Sequence, residues 1–101
     1  MVIVNLTLKI DPAFRSSLMT WIRESYIPLQ LARGGVLEYR LCRLLDQDDS
    51  EGLTEVLQFM LPDQAAYRRW QELPSSSLPG LLDPRFREAC VIFQTAMEVS
   101  G

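Results

Sequence analysis

Val2-Ile3-Val4-Asn5-Leu6-Thr7-Leu8-Lys9-Ile10, followed at once by Asp11-Pro12, decides how this chain is read. Side chains alternate along an extended backbone, so Val2, Val4, Leu6, Leu8 and Ile10 share one side. Ile3, Asn5, Thr7 and Lys9 share the other, which is only half apolar. One face of this strand therefore belongs to a core. Asp is a favoured N-cap and Pro suits the first helical position, so a helix should follow directly.

Working outward, Phe14, Leu18, Trp21 or Ile22, and Tyr26 recur at helical spacing, with Arg15, Arg23 and Glu24 mainly on other faces. Pro28 lacks a backbone donor and should kink or end this helix. A continuation from Leu29 to Arg33 should stop at Gly34-Gly35. Residues 36–45 read as a second strand, with Leu37, Tyr39 and Leu41 opposite Glu38, Arg40, Cys42 and Leu44. A polar, acidic loop over residues 46–52 leads to a third strand over residues 53–61. There Leu57, Phe59 and Leu61 oppose Val56, Gln58 and Met60, and the pair reads as a hairpin. Pro62-Asp63 repeats the helix-start signal, with an apolar stripe of Ala66, Tyr67, Trp70 and Leu73 and a stop at Pro74. Residues 74–87 are rich in Pro, Ser and Gly, but Leu78, Leu81, Leu82 and Phe86 predict a packed excursion. Residues 88–99 read as a last strand, with Ala89, Val91, Phe93 and Met97 opposite Cys90, Ile92, Gln94, Ala96 and Glu98.

The order βαββαβ predicts an α+β, ferredoxin-like sandwich: a four-stranded antiparallel sheet in order 4-1-3-2, with both helices on one face. The crossovers suggest a parallel central pair within it. A chain of 101 residues, 48% hydrophobic and 23% charged, predicts a single domain over residues 1–101. The uncovered face should carry Ile3, Asn5, Thr7, Cys42, Leu44, Val56, Gln58, Met60, Ile92, Gln94 and Ala96, with Glu38, Arg40 and Glu98 among them. About half of these are apolar, more than a solvated sheet face usually shows. That predicts a homodimer through the uncovered face, in the manner of a dimeric α/β barrel.

Composition excludes more than any motif supplies. The chain has no histidine, so Ser-His-Asp and Cys-His nucleophiles and an imidazole base are ruled out. Two isolated cysteines do not make a zinc site, and no metal or cofactor is expected. A net charge of −3 argues against nucleic acid. Residues 53–61 also lack the glycine and paired aromatics of an RNA-recognition strand. Asp46, Asp48, Asp49 and Glu51 fail the calcium-loop pattern, because its Gly and Glu positions hold Glu51 and Leu57. Met1-Val2-Ile3-Val4 has no basic region before it and Lys9 interrupts the apolar run, so no signal peptide or membrane association is expected. Cys42 and Cys90 fit free thiols in the cytoplasm, on opposite edge strands too far apart for a disulfide.

Candidate ligand contacts are few. Trp21, Tyr26, Tyr67 and Trp70 offer an aromatic pocket between helices and sheet, or simply the core side of two amphipathic helices. Tyr26 stands out, since a buried phenol needs a partner and can also orient a ligand. Glu38, Arg40 and Arg43 offer either an anion site or an ion pair. Asn5 completes the set of ligand-binding candidates, Tyr26, Arg40, Trp21, Tyr67 and Asn5.

The chain resembles a small bacterial family classed as a domain of unknown function. The likeness rests on Val4-Asn5-Leu6-Thr7-Leu8, Trp21-Ile22, Ile27-Pro28, Gly34, Arg40-Leu41-Cys42-Arg43-Leu44-Leu45, Gln58-Phe59 and Phe93-Gln94-Thr95-Ala96-Met97-Glu98-Val99. The resemblance implies a ferredoxin-like fold, paired as in dimeric α/β-barrel proteins, and no established activity. The family pattern has a His before Ile-Pro and an acidic residue after it, where this chain has Tyr26 and Leu29. Any histidine chemistry of the family would therefore be missing here.

Three functions fit. The first is a non-enzymatic homodimer that binds a small molecule or another protein. The second is a cofactor-independent enzyme of the dimeric α/β-barrel type, a monooxygenase, isomerase or decyclase, working through Tyr26, Arg40, Asn5 or a carboxylate. The third is a sensor module of the amino-acid-binding kind.

Overall fold

In a computed structural model that describes residues 1–46, 52–73 and 78–101, the predicted order is present. Strand β1 (Val2–Ile10) leads into a 3-10 turn (Pro12–Phe14) and helix α1 (Arg15–Trp21). A π-helical turn (Ile22–Tyr26) joins α1 to α2 (Ile27–Ala32). Strands β2 (Glu38–Arg43) and β3 (Leu53–Leu61) follow, then α3 (Gln64–Glu72), the single turn α4 (Leu78–Leu81) and β4 (Cys90–Glu98). The acidic positions Asp48, Asp49 and Glu51 and the helix stop at Pro74 lie outside the described residues.

The helix starts are set by the residues that announced them. Asp11 accepts from the backbone N–H of Ala13 at 3.0 Å, and Asp63 accepts from that of Ala66 at 2.8 Å. Pro28 neither ends nor sharply breaks its helix. It falls directly after the π-helical turn, at the start of α2. The turn before it widens, so that Ile27 N–H bonds to Ile22 O and the helix continues. Gly34 and Gly35 then end it with φ of +79° and +86°, a conformation glycine adopts without strain.

The sheet order is β2-β3-β1-β4, the predicted 4-1-3-2 read from the other edge. Every neighbouring pair is antiparallel, including the central pair β1 and β3. Each helical crossover skips one strand, so the parallel relation falls between next-nearest strands rather than in the centre. The alternating residues of β1 that face the helices, Val4, Leu6, Leu8 and Ile10, are fully buried. They meet Leu57, Phe59 and Leu61 of β3 and Leu18, Ile22 and Tyr26 of the first helical segment in one core. Leu78, Leu82 and Phe86 join it, so these three apolar residues anchor the Pro- and Ser-rich excursion to the core. Full burial of one such side chain contributes roughly 1.5–3 kcal/mol.

The last strand departs from expectation. Ile10, Leu8, Leu6, Val4 and Val2 pair with Cys90, Ile92, Gln94, Ala96 and Glu98, which puts these five on the helix side. Thr7 pairs with Phe93 and Ile3 with Met97, so Val91, Phe93, Thr95 and Met97 line the uncovered face. The assignment of Ile92, Gln94, Ala96 and Glu98 to that face is thereby corrected. The cause is the register with β1, which local apolar alternation does not fix at an edge strand.

Candidate functional site

The uncovered face is ordered in rows. Arg40, Gln58, Asn5 and Thr95 stand side by side across all four strands. The row on one side is Glu38, Met60, Ile3 and Met97, and on the other Cys42, Val56, Thr7 and Phe93. The polar centre is internally bonded: Gln58 donates to Asn5 Oδ1 at 3.0 Å, and Asn5 donates to Thr7 Oγ1 at 3.1 Å. Arg40 meets Glu38 at 3.2 Å, with both side chains more than half exposed. That is an exposed ion pair, weak in water. Phe93 is 60% exposed, Val91 56% and Met97 45%. A phenyl ring and two further apolar side chains thus stand in solvent beside an ordered polar strip.

The other face of the sheet holds the aromatic candidates. Trp21 stacks on Tyr26 with centroids 6.2 Å apart, and Tyr26 contacts Phe59 at 6.2 Å. Phe86 packs on Trp21, and Trp70 on Phe59. The π-helical turn holds Trp21 and Tyr26 together, since Trp21 precedes it and Tyr26 is its last residue. Tyr26 is 1% exposed. Burial raises its phenol above the ordinary tyrosine value, and the Arg33 guanidinium opposes this more weakly. These rings fill the space between helix and sheet.

The five predicted ligand residues therefore do not converge. Trp21 and Tyr26 meet in the core. Asn5 and Arg40 stand on the opposite face of the sheet, two strands apart. Tyr67 borders a shallow depression of about 160 Å³ with Arg68, Met97 and Glu98, and its hydroxyl accepts from Gln71 at 2.9 Å. Arg43 lies opposite Glu55 in the strand register, on the helix side of the sheet and away from Arg40. Cys42 is exposed and Cys90 partly buried, both as free thiols, and burial raises the Cys90 thiol. Among the described residues no three His, Cys, Asp or Glu side chains are placed to hold a metal ion.

Sequence reasoning missed a second cleft, between the end of α2 and α3. Arg33, Gly34, Gly35, Leu61, Ala66, Arg69, Trp70, Glu72 and Leu73 line a cavity of about 490 Å³. Gln30 is wholly buried behind it and accepts from the Trp70 indole at 3.2 Å. The available signal was the spacing Tyr26, Gln30, Arg33, which puts one phenol, one amide and one guanidinium on a single helix face.

A four-stranded antiparallel sheet with its helices on one side and its other face open defines a ferredoxin-like α+β protein. The chain belongs to the family described as Domain of unknown function (DUF4286), whose model matches residues 1–100. No curated protein matches it. Among solved structures it is similar to HapK from Hahella chejuensis, with a TM-score of 0.70 and 17% identity, covering 100% of this chain and 94% of that one. It is also similar to SnoaB, a cofactor-independent oxygenase from Streptomyces nogalater, with a TM-score of 0.66 and 18% identity over 99% and 93%. A dimeric ferredoxin-like protein of unknown function from Jannaschia sp. CCS1 aligns with a TM-score of 0.58 and 16% identity over 96% and 99%. At these identities the likeness is one of fold. Among the described residues no helix is long and apolar enough to cross a membrane.

Proposed function

We propose that this protein is a non-catalytic binding module that works as a homodimer, one domain of residues 1–101 per subunit, joined through the uncovered sheet face. The phase of β4 carries this reading. It stands Val91, Phe93 and Met97 in solvent on the sheet face that no helix among the described residues covers. A second copy on a two-fold axis presents the same face and buries these side chains against their like. The polar strip of Asn5 and Gln58 is already bonded within one subunit, so burying it leaves little unsatisfied. A related fold described as dimeric supports the pairing. The helix side of each subunit then stays free for a small molecule. Two free thiols suit the reducing bacterial cytoplasm.

A cofactor-independent enzyme is the lesser reading. Its best acid–base group, Tyr26, is packed among rings and holds its proton more tightly than an ordinary phenol. Asn5 and Arg40 stand across the sheet from it. Light scattering coupled to size exclusion tests the dimer. Twice the chain mass for the native protein, reduced to one chain mass by Phe93→Glu, is the expected result. A native monomer at micromolar concentration would overturn the reading.

A further inference from the structure

We infer that Arg33 is a gate: its side chain shuts the buried bond between Gln30 and Trp70 off from the cleft between α2 and α3, and swings outward to open it. The device belongs to a single subunit and stands whether or not two copies pair.

The charge of Arg33 is poorly placed in the closed arrangement. Both terminal nitrogens of its guanidinium are sealed from solvent, and neither has a hydrogen-bond partner among the described residues. Arg33 makes no ion pair there either. A guanidinium keeps its charge at any physiological pH. Sealed in this way it loses its hydration with nothing to offset the loss. An arrangement with the guanidinium in water escapes that penalty, so the closed form competes with an open one.

The geometry makes this cation a cover. Arg33 borders the cleft of about 490 Å³, but its sealed nitrogens do not, so its charged end is turned inward. The helical backbone of α2 runs on through Arg33, with φ of −74° and ψ of −19°. Gln30, three residues back, is therefore its neighbour on one helix face. Gln30 has no exposure at all, although Leu29 and Leu31 on either side of it are 42% and 41% exposed. A long polar side chain on a short helix is sealed so completely only by what stands over it. Trp70 stands on one side and donates its indole N–H to Gln30. Arg33 stands on the C-terminal side. The way out is free, because Gly34 and Gly35 follow and a Cβ at either would meet nothing within 4 Å. Opening joins the cleft to the Gln30 amide and, one turn further back on the same face, to the buried Tyr26.

The test is hydrogen exchange followed by NMR on the native protein, Arg33→Met and Arg33→Ala. The Trp70 indole N–H reads the gate, and the backbone N–H of Leu6, in the centre of the sheet, reads global unfolding. In the native protein the indole should be protected at least tenfold less than Leu6. Arg33→Met keeps the bulk without the charge, so that difference should shrink at least threefold and the protein should melt no lower. Arg33→Ala removes the cover, so the difference should widen at least threefold. Equal protection of the two protons in the native protein would overturn the gate, and so would an unchanged difference in either variant. A lower melting temperature for Arg33→Met would show that the closed guanidinium stabilises the fold, which also overturns it.

Discussion

Trp70 donates its indole N–H to Gln30 Oε1 at 3.2 Å, and this bond ties α3 to α2 where Gln30 has no exposure to solvent. Gln30→Leu keeps the bulk and removes the acceptor. A buried donor left without a partner costs about 1–3 kcal/mol. The urea midpoint should fall accordingly with the m-value unchanged. An unchanged midpoint would mean that water entering the neighbouring cleft satisfies the indole.

Arg15 holds Glu55 with two nitrogens on one carboxylate oxygen, at 2.7 and 3.0 Å. The Glu55 side chain is 4% exposed and that of Arg15 32%. Removing the arginine strands a buried carboxylate, which costs more than an exposed ion pair is worth. Arg15→Ala should destabilise by about 2–4 kcal/mol, and Arg15→Ala combined with Glu55→Gln by clearly less. A double-mutant cycle read by denaturant unfolding checks this. Equal losses for the single and double variants would remove the ion pair from the account.

Much of this fold is legible in the residues themselves. The strict alternation of β1 named its buried face side chain by side chain, because one face of a central strand is wholly apolar. Asp11 and Asp63 marked both helix starts through a short local interaction. What failed was non-local. The phase of β4 depends on pairing with a strand some ninety residues earlier in the chain, and on an edge strand both faces carry apolar residues. The π-helical turn that carries the helix past Pro28 is likewise a tertiary solution to a local problem. Of the predicted site, the meeting of Trp21 with Tyr26 followed from spacing along one helix. Arg33 was read only as the end of a helix, because burial of a cation is a property of what packs around it.

The corrected phase of β4 makes a paired prediction. Ile92 packs against the core and Phe93, its neighbour, stands in solvent. Ile92→Asp buries a charge without a partner and should cost about 2–4 kcal/mol at every protein concentration. Phe93→Asp should leave the fold intact and abolish the rise of the melting temperature with concentration that a dimer shows. Scanning calorimetry over a hundredfold range of concentration separates them. The reverse pattern would restore the other phase for this strand.

Tyr26 makes stability depend on alkaline pH. Burial raises its phenol in the folded protein, while the unfolded chain titrates near pH 10. Above that value the unfolded state gives up a proton that the native state keeps. The native state then binds more protons than the unfolded one, so the stability of the fold falls as pH rises. The contribution is complete below about pH 10 and is lost as pH climbs from there toward the raised native value. Burial raises the Cys90 thiol too, with the same sign, but Cys90 is common to the native protein and Tyr26→Phe. The difference between their unfolding free energies therefore isolates the phenol. The native protein should lose stability more steeply than Tyr26→Phe on the alkaline side. Its phenolate absorbance should include a step that coincides with loss of the circular dichroism of the fold, and that step should be missing from Tyr26→Phe. Parallel curves for the two proteins would show that Tyr26 reaches solvent without unfolding, and that the aromatic cluster opens on its own.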